Sequence, residues 1–332
     1  MENFSSSSRN ETDRINASSA KYGTKTNRFD ELFRHVKKSK TNEKIAFVFS
    51  GGGNRGAAQI GMLKALVEHN IMPDIILGAS VGALNGVAFA SKPDLDTIEN
   101  LNQLWLGLKK EDIFPPQRFG TTWRYAQRRA HVYPNAKLRE LISQNITVND
   151  LGETKIPVEV VLTRKRDGRA VRIGSGDALS ALLASTALPG TFPGVQIGTE
   201  IYIDGGVADD VPIHRAVQLG ATTIYVLLCG TLETKNKSFE RPIEAVLDSF
   251  SLAKLSRLRA ELETFHDTAK IVVLQSSLAQ GIPWLDFSRS DDVINDSYAS
   301  ARAQLDMDQA SFYHKLVLSR VDRTAHSLAH IA

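Results

Sequence analysis

The first strong apolar signal in the chain is Ile45-Ala46-Phe47-Val48-Phe49, five residues without polar alternation, the pattern of a strand covered on both faces. A glycine-rich stretch follows. From Asn54 to Asn70 the apolar residues Ala57, Ile60, Leu63 and Val67 recur at helical spacing, and Pro73 lies beyond the end, where it breaks nothing. Asp74-Ile75-Ile76-Leu77 reads as a second strand, which Gly78-Ala79-Ser80-Val81-Gly82 turns into a small-residue helix running to Phe89. Strand, tight turn and helix thus occur twice in succession. Parallel neighbours need such a crossover, so the expected fold is α/β, a mostly parallel central sheet flanked by helices in three layers. Functional groups then belong at the carboxyl ends of the strands.

The pattern predicts further strands over 157–162, 170–173, 201–203, 223–228 and 270–274, and helices over 177–185, 211–219, 243–265 and much of 292–318. Residues 1–42 are rich in Ser, Asn, Thr and Lys and poor in large apolar groups, so they are expected to form a flexible tail. The remainder divides into one catalytic domain over 43–280 and a helical extension over 281–332 that serves as lid, dimer contact or cover. No pattern specifies an oligomeric state.

Composition changes this picture little: 332 residues, 42% hydrophobic and 23% charged, are ordinary for a globular protein. Forty Lys and Arg against 37 Asp and Glu leave a net charge of only +3, which argues against a nucleic-acid partner. The single cysteine, Cys229, closes an apolar run and reads as a buried structural thiol in a reducing compartment. With no signal-like apolar run near the start and no membrane-length segment, the expected location is cytoplasmic, peripheral to a membrane or reached by leaderless secretion.

The candidate chemistry lies at the two turns and at a third point. Gly78 to Gly82 fit G-x-S-x-G, in which a strained turn presents Ser80 at the mouth of the sheet and a helix N-terminus stands near a developing oxyanion. Gly51-Gly52-Gly53-Asn54-Arg55-Gly56 offers free backbone N–H groups to an anion, either an oxyanion or, through its formal G-x-G-x-x-G spacing, a dinucleotide pyrophosphate. A dinucleotide site wants an acid at the end of the second strand; Asp74 stands at its beginning, which favours the oxyanion. Asp204 ends the apolar run Ile201-Tyr202-Ile203 and precedes Gly205-Gly206, as a base for Ser80 or merely as a turn. His214 or His266 after Asp204 would complete a hydrolase triad in chain order, although helix-surface roles suit both better.

These pieces, with the block Ala184-Ser185-Thr186-Ala187-Leu188-Pro189-Gly190-Thr191-Phe192-Pro193, resemble the patatin-like phospholipases over roughly residues 43–280. The resemblance implies a Ser80–Asp204 dyad without histidine, metal or cofactor, cleaving the acyl ester of a phospholipid or other acylglycerol in the manner of a phospholipase A or lysophospholipase. Backbone N–H groups of the glycine loop would hold the oxyanion. The alternative is a lipid or nucleotide binding module whose dyad is silent. One departure is visible: where many relatives carry Asn, this chain has Asp209-Asp210 before Val211-Pro212, carboxylates that either raise the dyad's proton affinity or face solvent. An ordinary aspartate, with a pKa of about 3.9, is ionised at neutral pH but is a weak base.

Trp105, Ile113, Phe114, Phe119, Trp123 and Tyr125 interleave with Lys109, Lys110, Arg118, Arg124, Arg128 and Arg129. The stretch fits peripheral contact with an anionic membrane or, equally, a packed loop with a solvated basic edge. The helix over 243–265, with Val246, Leu247, Phe250, Leu255 and Leu258, reads as cover for the core.

Overall fold

The computed structural model describes residues 43–115, 131–233, 242–283 and 285–308, with the backbone alone for 242–247. The predicted tail over 1–42 and the helix positions beyond 308 lie outside the described residues. Strands β1 (Ile45–Phe49), β2 (Ile75–Ala79), β3 (Val158–Arg164), β7 (Thr223–Leu227) and β8 (Lys270–Leu274) run parallel in the order β3-β2-β1-β7-β8. Strand β4 (Ala170–Ile173) and the pair β5 (Val195–Ile197) and β6 (Glu200–Asp204) extend the sheet in antiparallel fashion, so it is mostly parallel, as expected, with an antiparallel part. The short β5 had no counterpart in the pattern. Buried on both faces, β2 and β7 carry continuous apolar runs, as parallel central strands must.

Helices α1 (Ala57–Glu68), α2 (Val81–Ser91), α3 (Leu95–Gly107), α4 (Ala136–Asn145), α5 (Ala178–Ser185), α6 (Ile213–Gln218), α7 (Pro242–Phe265) and α8 (290–308) flank the sheet. None of the described helices is long and apolar enough to cross a membrane. The sequence pattern did not include α3 and α4. In α3, Ile98, Leu101 and Trp105 turn one face inward, and Asp94 caps the start by accepting the Thr97 N–H at 2.8 Å.

One register places the candidate site. Strand β4 occupies one edge of β3 from Val160 to Thr163. Strands β2 and β6 therefore share the other edge in succession, β2 with Ala79 opposite Val161 and β6 with Asp204 opposite Leu162. Where β2 leaves the sheet at Ala79, β6 arrives from the opposite direction, which sets the residue after Ala79 beside Asp204.

Candidate active site

The turn after β2 is tight enough to strain its central residue. Ser80 has φ 54° and ψ −128°, and with Asn70 it is one of two non-glycine residues at positive φ among those described. Such a backbone state costs roughly 1–3 kcal/mol and persists only where neighbours enforce it. Here Ser80 donates its N–H to Ser185 Oγ at 2.9 Å, and Ser185 in turn donates to the Val161 carbonyl at 2.7 Å. The helix behind packs close: a Cβ on Gly82 would collide with the Phe49 carbonyl oxygen and stand 2.5 Å from that of Ser50. Ser185 lies in the proline-containing block singled out in the sequence, but nothing in the pattern assigned it this prop.

Ser80 Oγ donates to Asp204 Oδ2 at 2.7 Å, and Gly206 N–H donates to Asp204 Oδ1 at 2.8 Å. Thr163 Oγ1 holds the aspartate's own carbonyl at 2.8 Å and accepts the Ala208 N–H at 3.0 Å, which anchors the turn to β3. Burial pushes the Asp204 carboxyl up to about 6, against the opposing pull of the Ser80 hydroxyl, Lys254 and the Gly206 N–H. An ordinary aspartate would be a weak base; a carboxyl at this value is better matched to a proton transfer near neutral pH.

The glycine loop, running into a short 3-10 turn over Gly53–Gly56, lies across this pair. Gly51 N–H donates to Asp210 Oδ1 at 3.1 Å and Arg55 N–H to the Gly52 carbonyl at 3.3 Å. Side chains pin the loop from behind. Asn54 Nδ2 donates to the carbonyls of Pro283 and Asp286 at 2.8 and 2.6 Å, and Arg55 Nη2 to that of Ile282 at 3.2 Å. Residues after 280 therefore buttress the loop. Beneath it runs a buried polar chain that the sequence did not announce: Trp105 Nε1 to Asn85 Oδ1 (3.2 Å), Asn85 Nδ2 to Gln59 Oε1 (2.9 Å) and Gln59 Nε2 to the Ser50 carbonyl (2.8 Å). Each buried polar group in that chain is partnered, as its burial demands.

Both carboxylates at the departure from the family pattern are buried, which removes the solvent-facing alternative. Asp210 accepts from Lys254 Nζ at 2.6 Å as well as from Gly51. Asp209 accepts from Arg172 at 2.6 Å. Arg172 Nη2 also lies 2.7 Å from His214 Nε2, and the other ring nitrogen of His214 bonds Glu261 at 3.1 Å. Asp209, His214 and Glu261 have ligand-type atoms within 4.8 Å of one another, but the cation among them is the Arg172 guanidinium. His214 is thereby committed away from Ser80, and His266 bonds the Glu263 carbonyl on an exposed surface. Neither completes a triad. Asp74 accepts the Ile45 N–H at 2.8 Å, at the opposite end of the sheet from the loop, so the acid a dinucleotide site requires is missing from its place.

A cavity of about 670 Å³ opens from Ser80, Asp204 and the glycine loop. One wall is apolar, built by Leu84, Leu101, Leu108, Leu138, Ile142 and Phe192; the other comes from α7 with Phe250, Lys254, Leu255 and Leu258. Phe114 stacks on Phe192 at 5.5 Å and Trp105 on Phe287 at 6.5 Å, so these two aromatics face inward and not toward a membrane. Phe119, Trp123, Tyr125 and the arginines from 118 to 129 lie outside the described residues. Cys229 is buried against Gly52, and burial pushes its thiol up to about 12, an inert structural group.

Comparison with known proteins agrees with the sequence motifs. The model of the family described as patatin-like phospholipase matches residues 47–217. Lysophospholipase nte1 of Aspergillus terreus is 26% identical over 207 residues, covering 60% of this chain and 13% of that protein. Patatin-like phospholipase domain-containing protein ZK370.4 of Caenorhabditis elegans is 28% identical over 215 residues, covering 61% of this chain and 15% of that protein. The chain thus matches only a small part of each relative's length. Among solved structures, VipD from Legionella pneumophila aligns with a TM-score of 0.44 at 14% identity, over 80% of this chain and 67% of that one. The family match extends over more than half of the chain and takes in the glycine loop, the serine elbow and the aspartate turn, and the chain belongs to the patatin-like phospholipase family.

Proposed function

We propose that the chain is a serine lipid acyl hydrolase, a carboxylic ester hydrolase of phospholipase A or lysophospholipase type, with Ser80 as nucleophile and Asp204 as base. The observation that carries this is the 2.7 Å hydrogen bond from Ser80 Oγ to a buried carboxylate at the head of a largely apolar cavity. Ser80 Oγ attacks the ester carbonyl while its proton passes to Asp204 Oδ2. Gly51 and Arg55 N–H groups are already engaged, so the loop donors available to the oxyanion are those of Gly52, Gly53 and Asn54. Well-placed donors of this kind are worth about 3–4 kcal/mol each in the transition state. Collapse returns the proton from Asp204 to the departing glycerol oxygen and leaves the acyl group on Ser80. A water then gives a proton to Asp204 and attacks the acyl-enzyme; as the bond to Ser80 breaks, Asp204 returns that proton to Ser80 Oγ and the fatty acid leaves, with the apolar wall as its natural berth.

The lysophospholipase names of the relatives favour a single-chain glycerolipid as the first substrate to try. The test compares release of fatty acid from lysophosphatidylcholine and of p-nitrophenol from a short-chain ester by wild type, Ser80→Ala and Asp204→Asn, with chelator present. Both variants are expected to lose turnover by about 10³-fold or more while remaining folded. Saturable lipid binding by a wild type that releases nothing would overturn the reading in favour of a binding module.

A further inference from the structure

The turn after β6 buries two carboxylates close to one another, and among the described residues the ammonium of Lys254 reaches both. The place where a Cβ of Gly206 would sit is 2.5 Å from Asp210 Oδ1, 3.1 Å from Asp204 Oδ1 and 3.4 Å from Lys254 Nζ, so three charged atoms converge on one point. Lys254 comes from the middle of α7, with its ammonium 2.6 Å from Asp210 Oδ1 and 5.5 Å from the centre of the Phe250 ring. Two carboxylates in one desolvated space resist being ionised together. Yet both are needed in that form: Asp204 to accept the Ser80 proton, and Asp210 to accept the N–H of Gly51, the residue that opens the glycine loop.

We propose that Lys254 is a positioning residue for the Ser80–Asp204 centre, a counter-ion shared by Asp210 and Asp204 that lets the loop anchor and the base be carboxylates at the same time. The inference rests on the hydrolase reading above for its kinetic consequences, but the charge arrangement stands without it. The other groups facing Asp204 are neutral donors, Ser80 from the elbow and the Gly206 N–H. Around Asp210 stand Lys254, the Gly51 N–H and, farther off, Arg257, which bonds the Ala208 carbonyl. The Cys229 thiol is protonated beside them, and Arg55 faces Cys229 and Asp248. Asp209 belongs to the separate cluster of Arg172, His214 and Glu261. Lys254 is thus the cation that reaches both carboxylates among the described residues. Asn at 210 would need no such partner.

The decisive experiment uses the full chain in five forms: wild type, Lys254→Met, Lys254→Arg, Asp210→Asn and the double variant Asp210→Asn/Lys254→Met. Two readouts are taken, the pH dependence of kcat/KM and the carboxyl 13C titration of the resonance that Asp204→Asn deletes. In Lys254→Met the Asp204 titration and the acid limb should both rise by about one pH unit or more. The ratio of activity at pH 6 to activity at pH 9 should then fall by about fivefold or more relative to wild type. Lys254→Arg should restore the wild-type limb, Asp210→Asn should move it downward, and the double variant should return it close to wild type. A 13C titration unmoved in Lys254→Met, or a double variant as impaired as Lys254→Met, would overturn the proposal. Should Lys254→Met fail to fold, the downward shift in Asp210→Asn decides alone. Because the 13C titration needs no turnover, an inert wild type would sink the hydrolase reading and leave this inference tested on its own terms.

Discussion

Asp204 and Asp210 stand six positions apart at the end of β6, both buried, yet one faces a hydroxyl and the other an ammonium. Burial pushes both carboxyls up from their ordinary value. For Asp204 the hydrogen-bond partners are the neutral Ser80 hydroxyl and Gly206 N–H, and with the pull of Lys254 from beyond them they leave the carboxyl near 6. For Asp210 the ammonium of Lys254 at 2.6 Å opposes the burial and commits the group to structure, holding Gly51 in place. The lesson is that equal burial leaves two carboxylates in different roles: one hydrogen-bonds a hydroxyl whose proton it can take, the other is tied to an ammonium and a backbone N–H.

The contrast between the two carboxylates bears most strongly on pH dependence. In the proposed reaction Asp204 accepts a proton only when ionised, and its folded value lies above the ordinary 3.8, at about 6. Activity should therefore be full above that value and fall by about tenfold per unit as pH drops through and below it, where an unperturbed aspartate would hold activity to about pH 4. A pH profile of kcat/KM on a neutral ester checks this.

A smaller effect follows from crowding the two carboxylates. Gly206→Ala would place a methyl 2.5 Å from Asp210 Oδ1 and 3.1 Å from Asp204 Oδ1, and the turn has to shift. A loss of about 1–3 kcal/mol in denaturant unfolding is expected, accompanied by reduced turnover. The smallest effect concerns the elbow. Ser80 at φ 54° carries strain that glycine would not, so Ser80→Gly should be about 1 kcal/mol more stable than Ser80→Ala, both being inactive. Equal stability of the two would mean that the strain is not stored there.

Much of this was legible in the sequence where local patterns decide the structure. The runs at 170–173 and 270–274 form strands with the expected limits, and the elbow at Ser80 and the strand ending at Asp204 lie where pattern and turn chemistry put them. What the pattern could not carry are pairings across long stretches of chain. Lys254 on α7 looks like any solvated position of a covering helix, and only the packed turn shows that it meets Asp210, 44 positions earlier. Ser185 likewise looks like a small helical residue until its hydroxyl is found under Ser80. A mostly parallel sheet was expected, but which strands run antiparallel was not, because direction is a property of the partner strand, and the register that brings β6 onto the edge vacated by β2 is written in neither strand alone.

Covalent trapping would show whether Ser80 is the nucleophile and Asp204 its base: wild type, Ser80→Ala and Asp204→Asn are exposed to a long-chain fluorophosphonate and followed by intact mass and peptide mapping. The account predicts a single adduct on the Ser80 peptide of the wild type, forming more slowly as pH falls below about 6. It predicts none in Ser80→Ala and labelling slowed by about 10²-fold or more in Asp204→Asn. An adduct on another residue, or labelling as fast in Asp204→Asn as in wild type, would contradict it.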